Sequence, residues 1–237
     1  MTYIELINSV LRRLREDTIT TNWSGNINDN SNISGYHKLI GELVNDAKKQ
    51  VEQSHDWNSL RETFNITLVD GTMQYLLGDV TTGAGLVFNT LDVRNKTTGQ
   101  QLEQVNNDWL NDRMFPTSKA ARGEPTKYAF NGSAQASNTR EPDVKLDFYP
   151  IPDSSVDGDI VAVNVVKEQS PLKKATDVLK VPYQPVILGA WARAIAERGE
   201  DGGTQSSIVA EEAFNSLNQA IMLDAGNFEY ERDWIIG

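Results

Sequence analysis

Apolar residues recur at helical spacing at both ends of this chain and alternate in its middle. That segregation constrains the fold more than any single motif. Tyr36, Leu39, Ile40, Leu43, Val44, Ala47 and Val51 repeat at steps of three and four, the strongest periodic signal present. They predict a long helix over about 35–56. Ile4, Ile7, Val10, Leu11 and Leu14 predict a shorter amphipathic helix over 4–14. Helical spacing returns after Pro182 and Pro185, where Val186, Ile187, Ala190, Trp191, Ala194 and Ile195 share a face and "GEDGG" supplies a glycine stop. A last helix is expected over about 205–224, with Ala210, Phe214, Leu217 and Ile221 aligned.

Between these ends the period changes to two. "ETFNITLV" turns Phe64, Ile66 and Leu68 to one side, the pattern of a half-buried strand. "DG" at 70–71 is a turn before "TMQYLL", and further strands are expected at 86–94, 126–131, 144–149 and 160–166. A short helix is predicted over 106–113 after an Asn cap. The Asn- and Ser-rich stretch 20–35 reads as a loop. Helices, then strands, then helices imply an α+β fold, with an antiparallel β-rich module inserted into a helical bundle. The expected division is a bundle from 1–60 and 180–226, a β-rich module from 61–179 and a tail from 227–237. Leu43, Val44, Val51, Trp191, Ile195, Phe214 and Leu217 are the expected bundle core.

Composition narrows the function classes. A hydrophobic fraction of 39% is enough to fill a core in 237 residues. Cysteine is absent, which removes disulfide scaffolds, thiolate metal sites and cysteine nucleophiles. A net charge of −11 opposes binding nucleic acid by phosphate neutralisation. Residues 182–237 hold three arginines against nine acids, so more than half of that charge sits in the last quarter. The N-terminus lacks a basic leader with an uninterrupted apolar core, so no signal peptide is expected. No apolar run approaches the roughly 20 residues that span a bilayer.

The candidate chemical sites are weak. His37 and His55 flank one long helix, about 27 Å apart along it at 1.5 Å per residue, and no G-x-S-x-G elbow accompanies them. Gly83 and Gly85 make half a dinucleotide fingerprint, but strand-like residues follow where a helix is required. Asp153, Asp157 and Asp159 in "DSSVDGD" miss the calcium-loop spacing and its distal Glu, and read as a polar hairpin turn. Glu197, Glu200 and Asp201 could pair as general acid and base if burial raised one pKa. Next to a glycine turn they read instead as the acidic end of a structural helix. No catalytic residue, metal ligand or cofactor site is expected.

The segments "ELINSVLRRLRE", "LIGELVNDAKKQVEQSHDWNSLRETFNITL", "LDFYPIPD" and "VPYQPVILGAWARAIAERGED" occur in an order and spacing with a known parallel. From about 3 to 225 the chain resembles the head-to-tail adaptor proteins of tailed bacteriophages, which are similar to the tail tubular protein A of short-tailed phages. The stretch 80–140 carries none of the likeness. The resemblance implies a non-enzymatic virion protein assembled in the host cytoplasm. It implies a homo-oligomeric, twelve-fold ring between the portal protein and the tail nozzle or tube. DNA would pass through without sequence-specific binding, and neither a membrane nor a cofactor is involved. A terminal segment of such adaptors commonly reaches the portal. Here the candidate is "FEYERDWIIG", with Phe228, Tyr230, Trp234, Ile235 and Ile236, expected to order when it docks.

Two other readings remain open on sequence alone. One is an acidic carbohydrate-binding or carbohydrate-active protein using Trp23, Trp57 or Trp109 as sugar platforms. The other is a different tail-completion protein, which shares the assembly behaviour and differs in symmetry.

Overall fold

The computed structural model describes residues 1–78, 88–115, 120–134, 143–199 and 203–226. Those residues hold five α-helices: α1 (Tyr3–Arg13), α2 (Gly35–Gln53), α3 (Asn107–Met114), α4 (Tyr183–Arg198) and α5 (Thr204–Ala225). The strands are β1 (Arg61–Thr67), β2 (Gln74–Leu76), β3 (Phe88–Asn95), β4 (Glu103–Gln104), β5 (Lys127–Ala134), β6 (Asp143–Tyr149) and β7 (Ile160–Lys167). The fold is α+β. The chain divides into two compact units, one of Met1–Leu60 with the chain from Glu168 onward, the other of Arg61–Lys167.

In the helical unit α4 is the central element and packs against α1, α2 and α5. Val186, Ile187, Leu188, Ala190, Ala192, Ala194 and Ile195 are all buried, so the helix is covered on nearly every side. Its small residues make this packing feasible: a Cβ added at Gly189 would sit 3.4 Å from that of Ala47 on α2. Pro185 lies in the first turn, where its missing amide costs nothing, and Gly199 ends α4 in the left-handed region at φ 63°. The N-terminus of α2 is capped by Ser34, whose Oγ accepts from His37 N at 3.2 Å. That of α1 is held by Glu5, whose carboxylate accepts from Thr2 N at 2.8 Å.

Burial corrects one expected core residue. Val44, Val51 and Ile195 are buried, and Leu43, Trp191 and Leu217 are half-buried. Phe214 is 61% exposed and is not in the core. Helix α5 meets α4 through Val209, packed with Leu188, Ala192 and Ile195. Phe214 lies five residues further on, about 140° around the helix at 3.6 residues per turn, and faces an open groove.

Residues 168–179, expected in the β-rich module, cluster with the helical unit, and the segment 168–181 straps its elements together. Tyr3 N donates to Asp177 O at 2.8 Å and Ile4 N to Ala175 O at 3.2 Å. Asn45 on α2 brackets Leu172, accepting from its amide at 2.9 Å and donating to its carbonyl at 3.0 Å. The strap buries Leu172, Ala175, Leu179 and Val181. It also pins the 20–35 loop, since Trp23 Nε1 donates to Lys173 O at 2.7 Å. That loop buries Ile27 and Ile33, which its polar composition concealed.

The second unit contains two sheets. One has the order β1-β7-β3, all antiparallel, and the other β2-β6-β5-β4. The β4–β5 pair is parallel, the exception to the expected antiparallel module. Val161, Val163 and Val165 of β7 join Leu146 and Phe148 of β6 in one core. Leu110 and Met114 of α3 form a smaller core with Ala129 and Ile151. Gly83, Gly85, residues 86–87 of a predicted strand, Glu200, Asp201 and the tail residues Phe228, Tyr230, Trp234, Ile235 and Ile236 lie outside the described residues.

Candidate assembly face of the helical unit

Helix α5 is 22 residues long, and Val209 is its one buried residue. It contains no Lys or Arg, and it exposes Ile208 and Phe214 at 61%, Met222 at 73% and Leu223 at 75%. Scattered exposed apolar residues are ordinary on a protein surface. Ile208, Met222 and Leu223 share one side of α5, and Phe214 lies about 120° around from Ile208 beside the groove. Large apolar groups left in solvent in this way mark a candidate surface for a partner. Beside them runs a groove of about 280 Å³ floored by Ala47, Val51, Gly189 and Ala192 and rimmed by Phe214 and Leu217.

The C-terminal end of α5 is tied to the α2 end. Asp224 Oδ2 accepts from Asn58 N at 3.2 Å. It also lies 3.2 Å from His55 Nε2, an ion-pair distance without hydrogen-bond alignment. These contacts anchor the C-terminal end of α5, and packing of Val209 on α4 holds its N-terminal half.

The chemically suggestive residues are occupied in structural contacts. His37 Nε2 lies 3.1 Å from Asp17 O, and His55 stacks edge-on to Trp57 at 5.1 Å. Asp153 caps its own turn through Ser155 N at 2.9 Å, Asp157 accepts from Asp70 N at 2.9 Å, and Asp159 lies with Asn95 Nδ2 at 3.3 Å. The three aspartates serve three different contacts. Among the described residues no three His, Cys, Asp or Glu side chains converge to hold a metal ion. Glu197 is exposed, while its neighbour Arg198 turns back to Glu16 and donates to Tyr36 Oη at 2.9 Å.

Two of the three sugar-platform tryptophans are unusable as platforms. Trp23 and Trp57 are 5% and 1% exposed, and Trp57 Nε1 donates to Val51 O at 2.8 Å. Trp109 is half-buried, but the Arg113 guanidinium covers its ring at 3.8 Å from the centroid and Tyr149 meets it edge-on. The carbohydrate reading thereby loses two of its platforms, and the third is stacked.

One buried pair escaped the sequence reading. Lys48 and Glu52 are 2% and 4% exposed and bond at 2.9 Å, while Lys48 Nζ also donates to Gln169 O at 2.6 Å. Burial pushes the Glu52 carboxyl above its usual range, against the opposing effect of its bond to Lys48. Charges four apart on a helix ordinarily sit in solvent. Only their placement among the apolar positions of α2 hinted otherwise.

Helix α5 thus leaves large apolar side chains in solvent, while His37, His55, Asp153, Asp157 and Asp159 are engaged in local contacts. The chain belongs to the SU10 adaptor protein family, whose model matches residues 1–232. It is therefore a bacteriophage adaptor protein, a virion component of a structural family whose members meet other head and tail proteins. No curated protein matches it. Among the described residues no helix is long and apolar enough to cross a membrane.

Proposed function

We propose that this protein is a head-to-tail adaptor of the tail tubular protein A kind, forming a ring between the portal and the tail nozzle or tube. The observation that carries this reading is the uncovered outer face of α5, with Ile208, Met222 and Leu223 in solvent, in a chain of the adaptor family. A ring gives that face a neighbour in every subunit, because head-to-tail contacts close on themselves when the rotation permits. Twelve-fold symmetry follows from the resemblance to portal-bound adaptors. The net charge of −11 suits a DNA conduit, since like charge keeps phosphates from adhering to the wall. The tail supplies the portal contact, with Trp234 as its principal anchor because a buried Trp contributes large contact area. Assembly takes place in the host cytoplasm.

Electron microscopy of the protein mixed with its virion's portal tests the ring. A closed ring of this chain stacked on the portal is expected, and portal particles without added density would overturn the reading. Deletion of 228–237 should leave the far-ultraviolet circular dichroism of the free subunit unchanged while abolishing co-sedimentation with portal rings. Unchanged co-sedimentation would remove the tail from the portal contact.

A further inference from the structure

We propose that the outer face of α5 docks head-to-tail on the arginine-rich end of α1 and α4 in a second copy of the chain. This rests on the ring reading and names the two surfaces that meet. The outer face of α5 follows helical spacing: Ile208, then Glu211 and Glu212, then Asn215 and Gln219, then Met222 and Leu223, all exposed. It is apolar at both ends, acidic near its start, and without a cation.

The helical unit also carries the complement. Arg12 and Arg13 end α1 and Arg15 follows its cap; all three are exposed, and none forms an ion pair with a described residue. The Arg13 guanidinium lies 5.7 Å above the Trp191 ring. With Leu14 and Ile195 that ring floors a recess of about 500 Å³ rimmed by Arg13, Arg15 and Arg198. Arg198 is already paired with Glu16, so Arg13 and Arg15 are the cations this recess offers to the Glu211 and Glu212 carboxylates. An acidic chain repels copies of itself unless such a basic patch meets an acidic one.

The two surfaces are distinct but adjoin at the start of α5. Gln205 borders the recess; Glu211 and Glu212 lie six and seven residues further along α5, about 10 Å at 1.5 Å per residue, and Met222 about 25 Å. Because the recess and the α5 face are different surfaces, each copy carries one of each, and a double-cysteine variant separates a repeating contact from a reciprocal pair. A heterologous contact of this kind builds a ring where the rotation closes and an open filament where it does not.

The cysteine-free chain makes the test direct. Glu212→Cys and Arg12→Cys occupy exposed positions, and full-length variants are prepared separately, mixed and mildly oxidised. Disulfide-linked mixed dimers should exceed either homodimer by at least about tenfold, the ratio that 1.4 kcal/mol of preference gives. The double variant should give a ladder of linked subunits. Adding Glu211→Lys to the Glu212→Cys chain should weaken the mixed product, and Arg13→Glu in the partner should restore it. Thermal melting of each variant confirms that the fold is kept. Predominant α5-to-α5 homodimers, or a double variant that stops at dimers, would overturn the proposal. Rings on the portal without the cross-link would sink this interface alone, whereas absence of both would sink the ring as well.

Discussion

Gly41 lies on the buried side of α2, and a methyl group there tests the packing of the helical unit sharply. A Cβ at this position would stand 2.5 Å from Tyr3 Oη, 3.3 Å from Tyr3 Cζ and 3.4 Å from Ile27 Cδ1. Tyr3 is 1% exposed, its hydroxyl accepts from Asn45 Nδ2 at 3.3 Å, and its ring meets Trp23 edge-on at 6.0 Å. Burial also pushes its phenol well above the usual tyrosine range. The ring has no free space into which to retreat. By helix propensity alone, Gly41→Ala would stabilise α2 by about 1 kcal/mol. Overpacking of this kind costs about 1–3 kcal/mol, and loss of the Asn45 bond adds about 1 kcal/mol. The clash therefore outweighs propensity, and a net loss of about 1–3 kcal/mol is expected. At 2–4 °C per kcal/mol for a chain of this size, the melting temperature should fall by roughly 2–12 °C. The assay is urea and thermal unfolding of the full chain followed by circular dichroism at the helical band. Tyr3→Phe removes the oxygen nearest the added methyl, so the double variant should recover about 1 kcal/mol or more relative to the sum of the single changes. A Gly41→Ala protein as stable as the parent, or more so, would refute the close approach of α1 and α2.

Other perturbations separate the remaining contacts. Trp191→Ala should cost about 1–3 kcal/mol by thermal unfolding, less than the 3–5 kcal/mol of a fully buried tryptophan, because its ring is half-buried. A loss as large as that from Trp57→Ala would place Trp191 in the core after all. Lys48→Met leaves Glu52 buried without its cation and should cost about 3–5 kcal/mol near neutral pH, measured by urea unfolding. The Glu52 carboxyl titrates above its usual range when folded. The folded state therefore holds that proton more tightly, and its contribution to stability is lost as pH rises from the ordinary glutamate value through the raised one. The Lys48→Met protein should consequently regain stability on acidification across that window, and a flat profile would remove Glu52 as the cause. Replacing Glu197, Glu200 and Asp201 with Gln, Gln and Asn should leave circular dichroism and ring assembly unchanged. A hydrolase activity that vanished in this variant would reopen the enzymatic reading.

Local structure was legible wherever one short-range signal dominated. The steps of three and four from Tyr36 to Val51 run along α2, Pro182 and Gly199 bracket α4, and the alternation of Phe64, Ile66 and Leu68 begins in β1. These elements depend on neighbours within a turn of helix or along one strand, so residue order alone determines them. Strand β4 has two residues, too few to show a period, and its pairing with β5 exists only because the tertiary fold brings them together. The Asn-rich stretch 20–35 is irregular as read, but its anchoring through Trp23 depends on a carbonyl 150 residues away. Residues 168–181 carry no helical or strand period, and only their hydrogen bonds to α1 and Asn45 assign them to the helical unit. Phe214 shows the limit most clearly. Periodicity places it with Ala210 and Leu217 on one side of α5, yet whether that side is covered depends on where α2 and α4 lie. Lys48 and Glu52 show the converse: a charge pair at solvent-like spacing is buried because the strap passes over it. Sequence period determines which side chains share a face. Tertiary structure decides which faces find a partner, because burial depends on surfaces contributed by residues distant in the chain.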